Sequence, residues 1–479
     1  MKKFIFLFVI AHCTLLIDNC ISQWQPDTRL TNAAGFSTNS DLSSSGANLH
    51  SVWQDTRDGN SEIFYKRSTN EGLSWEGDIQ LTDIAGSKSL PTVSAEGSNI
   101  HVTWQDNRNG NFEIYYKRST NNGLNWDSDI RLTNNTAVSG NSVVSAAGTF
   151  VNVIWRDTRS GNYEIFYKRS TDNGNTWSAD TMLTQHTTGL ASSISLASTG
   201  TNLHIAWSDS RHNDDYEIYY KRSTNGGVSW GTDTRLTNSV SISESPSITS
   251  NSSEVHVVWT DLRDTAISEV YYKRSGDNGN NWSADTRLTV YANAMNPAIL
   301  LSGSIVHITW HTVSGSEIFY NRSLNSGNSW ETGAQISSSL SGAYQPNITV
   351  TGTKVHIIWH DVRNGSTNSE IYYDFNPAGN TIGISTINTE VPGAFSLSQN
   401  YPNPFNPVTN IKFAVAQTGF VKLTVFDVLG KEVETLVSEN LNAGTYNADW
   451  DAANYSSGVY FYRLHSGKFS EIRKMVLIK

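Results

Sequence analysis

The stretch Ile100–Trp126, IHVTWQDNRNGNFEIYYKRSTNNGLNW, decides the fold. Ile100, Val102 and Trp104 alternate with His101 and Thr103, the period of two of a half-buried strand. The loop Arg108-Asn109-Gly110-Asn111 leads into a second run, Glu113–Ser119, and another Asn-Gly turn leads into Asp127–Thr133. With Pro91–Ala95 upstream, the pattern predicts a four-stranded antiparallel meander closed by tight turns. The strand-end tryptophan returns as Trp53, Trp104, Trp155, Trp207, Trp259, Trp310 and Trp359, at gaps of 51, 51, 52, 52, 51 and 49 residues. A fixed period of that length marks a repeat architecture. Seven four-stranded units predict a seven-bladed β-propeller, which shields its sheet edges by closing radially.

Closure is legible at the two ends. The pattern Trp-x-x-Asp-x-x-Leu-Thr follows the turn in the early repeats, as in Trp126–Thr133, and it also stands at Trp24–Thr31, before any repeat has begun. The last repeat lacks it after Glu370-Ile371-Tyr372-Tyr373. The N-terminal segment is therefore expected to supply the outer strand of the seventh blade. The expected division is 1–22 as signal peptide, 23–376 as propeller, 377–392 as linker and 393–479 as a small Ig-like β-sandwich.

Lys2 and Lys3, the apolar run Phe4–Ile17 and the small residues Cys20 and Ser22 read as a secretory signal cut before Gln23. Both cysteines, Cys13 and Cys20, lie in that segment, so the mature chain is expected to hold no disulfide and no thiolate-bound metal. Residues 1–22 carry +1 and 390–479 balance, leaving −11 on 23–389 out of a total of −10. That balance excludes a nucleic-acid partner, whose phosphates require a basic face. No stable membrane span, cofactor or metal is expected, and the chain is expected to be monomeric.

Three repeated sets carry the chemistry. Trp-x-Asp-x-Arg places Arg57, Arg108, Arg159, Arg211, Arg263 and Arg363 two residues after an aspartate, each followed by a strand-opening glutamate. These arginines either face an acidic sugar, which a guanidinium binds bidentately, or form an Asp–Arg–Glu brace within the loop. A histidine three residues before the tryptophan (His50, His101, His204, His256, His307, His356, with Asn152 in the third unit) reads as structural, because Asn is a poor substitute for a metal ligand. An octet closes six units, as in STNNGLNW from Ser119, with Asn70, Asn121, Asp172, Asn225, Asp277 and Asn325 at its third position. Asn or Asp there can hold backbone N–H groups within the turn.

The octets resemble the Asp-box, or BNR, repeats of sialidases and related propellers. The resemblance implies that the boxes are structural and lie opposite the ligand face, where the Trp-x-Asp-x-Arg loops sit. Sialidases also need three converging arginines, a tyrosine nucleophile and an aspartate. Their first arginine usually stands in an Arg-Ile-Pro motif, which this chain lacks, and no catalytic residue is singled out. Departures from the repeat therefore become the ligand candidates: Arg156 in the third unit, His212, Asp214 and Asp215 in the fourth, His311 in the sixth and His360 in the seventh. Tyr291 and Tyr344 lie in loops entering the last two units.

The C-terminal motifs Asn400–Pro407, Val425–Gly430, Gly458–Tyr462 and Lys474–Lys479 resemble the type A sorting domain of the type IX secretion system. This implies translocon and sortase as partners and an extracellular or cell-surface location. Three functions stay open: binding of a glycan, surface polymer or other extracellular ligand; an exo-α-sialidase-type hydrolase; and a structural or adhesion surface protein.

Overall fold

The computed structural model describes residues 24–186, 188–211, 215–264, 267–290, 292–313, 316–337, 342–365, 368–379, 385–388, 392–441, 443–452 and 455–479. The expected signal peptide lies outside them. Every regular element among them is a β-strand. Seven sheets of four antiparallel strands occupy Thr28–Asn376. In the second blade the strands are Lys88–Glu96, Asn99–Asp106, Glu113–Ser119 and Ile130–Arg131. The outer strand is shorter than the expected Asp127–Thr133, with only Tyr115↔Arg131 and Tyr116↔Ile130 in register. Asp127 and Asp129 instead turn their carboxylates to Arg118 and Arg108.

The ring closes as the repeat pattern predicts. Thr28 pairs with Tyr373 and Arg29 with Tyr372, so the first strand completes the last sheet. Trp24 packs edge-on against Tyr320 at 5.1 Å, the place a box tryptophan takes elsewhere, as Trp126 does on Tyr65 at 4.9 Å. Asp27 reaches Arg363 at 2.7 Å. One short segment thus supplies a strand, an aromatic wedge and a counter-ion to the seventh blade.

The core lies between blades. Val52, Ile63 and Tyr65 of the first blade pack on Val93, Ile100, Val102 and Trp104 of the second. Leu42, Leu49, Trp53 and Phe64 of the first pack likewise on Ile358, Ile371 and Tyr373 of the seventh. Large aromatics bury the most area per residue and hold a defined geometry, which suits a wedge-shaped interface repeated around a ring. Tyr65 shows how tightly the wedge fits. Its hydroxyl bonds His50 Nδ1 at 2.7 Å, and a Cβ on Gly123 of the next blade would stand 1.9 Å from that hydroxyl. The same relation links Tyr116 to Gly174, Tyr167 to Gly227, Tyr220 to Gly279, Tyr272 to Gly327 and Tyr373 to Gly72.

After the propeller, two four-stranded sheets face each other over one core. One holds Ser385–Asn388, Ser396–Leu397, Val408–Val415 and Gly444–Asp451, and the other Gly419–Phe426, Glu432–Leu441, Gly458–Ser466 and Phe469–Leu477. Part of the expected linker is therefore sheet, with Ser385 opposite Asn447 and Thr386 opposite Tyr446. A four-residue strand with little alternation gives too weak a periodic signal to be told from loop.

Gly123→Ala should lower the unfolding free energy by about 3 kcal/mol, because it adds overpacking against Tyr65 to a strained positive φ. Gly276→Ala, in open space within another box, should be nearly neutral. Equal denaturation midpoints for the two variants would contradict this packing account.

Candidate functional site

The second and third strands of each blade start from a shared loop end, where Asp106 pairs with Glu113, and run to the box end, where Ile100 pairs with Ser119. The Trp-x-Asp-x-Arg loops and the boxes thus lie on opposite faces. At the loop end Arg57 donates Nε to Asp55 Oδ1 at 2.9 Å and Nη1 to Asp78 Oδ2 at 2.8 Å, while Lys66 Nζ sits 2.8 Å from Asp78 Oδ1. The guanidinium also lies over Phe64, 4.3 Å from the ring centre. The same Asp–Arg–Asp–Lys network is built on Arg108, Arg159, Arg211 and Arg263. The expected brace is real, but its second acid is the outer-strand aspartate rather than the strand-opening glutamate. These candidate ligand arginines are occupied on both edges. Arg363 bonds Asp361 and Asp27, but the lysine position holds Asp374, whose carboxyl burial pushes up to about 8.

The strand-opening glutamates serve a different purpose. Glu113 accepts from Arg131 at 3.0 Å and also from the Thr133 hydroxyl, tying the third strand to the outer one. Between the third and fourth blades His186 bridges Glu164 through Nδ1 at 2.6 Å and Asp209 through Nε2 at 2.8 Å. Burial alone would lower its pKa, but hydrogen bonds and charge from Asp209 and Glu164 outweigh it and raise it to about 9. Lys88 fills the corresponding seam after the first blade, 2.9 Å from Glu62.

The repeated histidines are buried among the blades and held through Nδ1, while Nε2 of His50 and His101 has no hydrogen-bond partner among the described residues. His101 Nδ1 meets Tyr116 OH at 2.7 Å, and burial pushes its pKa down to about 4. Asn152 makes the equivalent bond, accepting from Tyr167 OH at 2.7 Å. The box residues Asn70, Asn121, Asp172, Asn225, Asp277 and Asn325 each accept a backbone N–H from four residues ahead. Those bonds, with side-chain hydroxyl or amide donors, hold exposed Asp172 and Asp277 at about 2.

Asymmetry is concentrated on the axis. Each innermost strand carries a bulge with one residue at positive φ: Asn39, Leu90, Asn141, Ser193, Ser245, Asn296 and Gln345. These residues and the two after each line an axial cavity of about 390 Å³. No part of the sequence reading anticipated this ring, although Pro91, Pro246, Pro297 and Pro346 at one repeat position were a usable signal. Asp41 is the lone carboxylate lining the cavity. It holds Val93 N–H at 2.7 Å, and burial raises its pKa to about 6.

Above the bulges, seven cross-strand pairs form the loop-face mouth: Thr38–Gln54, Ser89–Gln105, Gly140–Arg156, Ser192–Ser208, Glu244–Thr260, Met295–His311 and Tyr344–His360. Gln105, Ser208 and Thr260 each accept the bulge N–H of the following blade, from Asn141, Ser245 and Asn296. The equivalent His311 and His360 instead have buried Nδ1 atoms with no hydrogen-bond partner. Burial holds both imidazoles at about 4, so they are neutral at physiological pH. Tyr344 lies between them, its ring centre 5.6 Å from each. Together with Thr38, Asn39, Asn296 and Gln345 they line a cavity of about 380 Å³. The neighbouring Trp310 Nε1 is also buried without a partner, because Thr312 replaces the aspartate that accepts this N–H in the other blades.

Of the remaining candidates, His212 and Asp214 lie outside the described residues, as does Tyr291, and Asp215 is exposed beside that gap. Arg156 stands apart from the six repeated arginines and has no carboxylate partner among the described residues.

Seven four-stranded sheets closed into a ring, followed by a C-terminal sandwich, define the class of repeat propellers. Residues 105–357 match the BNR repeat-like domain model, and the chain belongs to that family. Residues 399–479 match the secretion system C-terminal sorting domain, which directs the chain across the outer membrane to the cell surface or extracellular space. Comparison with curated proteins finds no match. Among solved structures, the polysaccharide lyase Uly1 aligns with a TM-score of 0.53 at 8% identity, over 74% of this chain and 100% of that one. An α-L-arabinofuranosidase from Fusarium graminearum aligns at 0.45 and 11% identity, over 73% and 98%. A Trypanosoma rangeli sialidase aligns at 0.44 and 10% identity, over 83% and 84%. These likenesses are of fold. No helix among the described residues is long and apolar enough to cross a membrane.

Arg108→Gln should cost about 2 kcal/mol of stability, since it strands two carboxylates in a nearly buried network. It should leave ligand binding unaltered, and loss of binding without loss of stability would overturn the brace. His186 has a folded pKa of about 9 against an ordinary 6.5. Its contribution is fully present below about pH 6.5 and is lost as pH rises through about 9. Urea midpoints at pH 6 and pH 9 should therefore differ more for the wild type than for His186→Gln, and equal differences would refute the bridge.

Proposed function

We propose that this chain is an extracellular carbohydrate-recognition propeller whose ligand sits at the loop-face mouth, between the sixth, seventh and first blades. The observation that carries the reading is His311, only 5% exposed yet with an unpartnered Nδ1 beside a 380 Å³ cavity. A buried polar atom without a partner costs roughly 1–3 kcal/mol, and a hydroxyl-bearing ligand would offset that cost. Neutral imidazoles donate and accept, and Tyr344 adds a hydroxyl and a ring face, a combination suited to sugar hydroxyls.

Membership of a family with sialidase-like neighbours and delivery by a sorting domain support a carbohydrate-related role outside the cell. Sialidase-type catalysis is less well supported. The six repeated arginines are each engaged by two aspartates, so none of them is left to hold the substrate carboxylate that three converging arginines grip in sialidases.

On a glycan array the secreted protein should bind a limited set of saccharides. Calorimetry should then show His311→Leu and Tyr344→Phe each weakening that binding tenfold or more, with unchanged melting temperatures. Binding indifferent to both changes would remove the mouth as the site. Release of product from a fluorogenic sialoside, abolished by either change, would replace binding with catalysis.

A further inference from the structure

Among the described residues, the mouth pairs carry one cation without a carboxylate partner. Arg156 occupies the position held by Gln54, Gln105, Ser208, Thr260, His311 and His360 in the other blades. It is half-buried, and its one hydrogen bond among the described residues runs from Nε to Ala191 O at 3.0 Å. Its guanidinium lies over Tyr163, 4.2 Å from the ring centre, with Tyr216 also within electrostatic reach. No carboxylate approaches it among the described residues, and burial lowers its pKa with no acid to restore it. Each of the six repeated arginines, by contrast, is clamped by two aspartates.

The surroundings are as asymmetric as the charge. The residue just before the strand-opening glutamate is Phe112, Tyr163 and Tyr216 in the second to fourth blades, but Ser61, Ser268, Ser316 and Ser369 in the others. Of these, Tyr163 and Tyr216 flank Arg156. Ala191 N–H donates to Tyr163 O at 3.0 Å, so one backbone segment fixes both the arginine and its aromatic floor. Neither tyrosine hydroxyl has a protein partner among the described residues, and both rings are half-exposed. With Nε engaged, the two Nη groups present the fork that matches an oxyanion bidentately.

We infer that Arg156, Tyr163 and Tyr216 form a second subsite, for the carboxylate or sulfate ester of an acidic polysaccharide. The inference rests on the reading that the loop face takes saccharide, and it names the class of polymer. The guanidinium pairs with the oxyanion, while the tyrosines offer ring faces and hydroxyls to the sugar that carries it. A single cation on a domain of net charge −11 attracts weakly over distance, so recognition is short-range and screened by salt.

The test is surface plasmon resonance with the intact secreted chain against polygalacturonate, dextran sulfate and neutral dextran, at about 50 and 300 mM salt. Wild type should bind at least one polyanion more tightly than dextran, and less tightly at high salt. Which polyanion binds distinguishes carboxylate from sulfate. Arg156→Gln should weaken polyanion binding tenfold or more while saccharides bound through His311 are unaffected. Arg156→Lys should recover part of the loss, and Tyr216→Ala, which leaves the arginine in place, should weaken binding as well. Polyanion binding that persists unchanged in Arg156→Gln overturns the subsite. So does a wild type that binds neutral saccharides but no polyanion, although the proposed function then stands. Failure to bind any saccharide removes that function, and this subsite with it.

Discussion

The fold depends on one contact made at six of the seven seams of the ring: a third-strand tyrosine driven into the turn of the next blade. Tyr116 is the pattern. Its hydroxyl is held by His101, its ring meets Trp177 edge-on at 4.9 Å, and it occupies the space a Cβ on Gly174 would need. The octet is thus a socket as well as a turn. Its Asn or Asp folds the backbone, its glycine admits the tyrosine, and its tryptophan closes over it. Six copies and the Trp24 segment make a continuous belt, so adding or removing a blade would break this geometry twice.

The loop face answers to a different constraint. Placing arginine and aspartate at the top of six blades concentrates charge, and Asp–Arg–Asp–Lys networks neutralise it locally in five of them. A charge with all its partners contributes to shape and little to recognition. Recognition is left to positions where the network is absent or was never built. In the sixth blade the loss is concerted, with Thr312 for aspartate, Gly333 for the outer acid and Asn321 for lysine, and it leaves Trp310 Nε1 unpaired. Beside that break stand the neutral pair His311 and His360, and across the ring stands Arg156, without a carboxylate partner among the described residues.

Repetition makes such features legible and also hides them. The tryptophan spacing, the box octets and Trp24–Thr31 were enough to count blades and find the closure, because each blade buries the same face against its neighbour. The partner of Arg108 was misjudged as Glu113, since Glu113 is adjacent across the strand pair while Asp129 comes from the outer strand. The strand Ser385–Asn388 was missed because pairing with Gly444–Asp451, some sixty residues away, is what makes it a strand.

Sequence by itself determined the architecture, the closing strand, the structural role of the boxes and histidines, and the secretion address. Each of those follows from local period or from a motif whose atoms bond within a few residues. Only the tertiary structure decided which polar groups are free. His311, Tyr344 and His360 sit in three separate stretches and become neighbours when the sixth and seventh blades meet beside the first. Arg156 differs from Arg159 by three positions in the chain, yet one has no carboxylate partner among the described residues and the other is clamped by Asp157 and Asp180. The difference arises because Arg156 lies within the strand Phe150–Asp157, whereas Arg159 lies in the loop beyond it and folds back onto Asp157, and only the folded ring fixes what waits beside each.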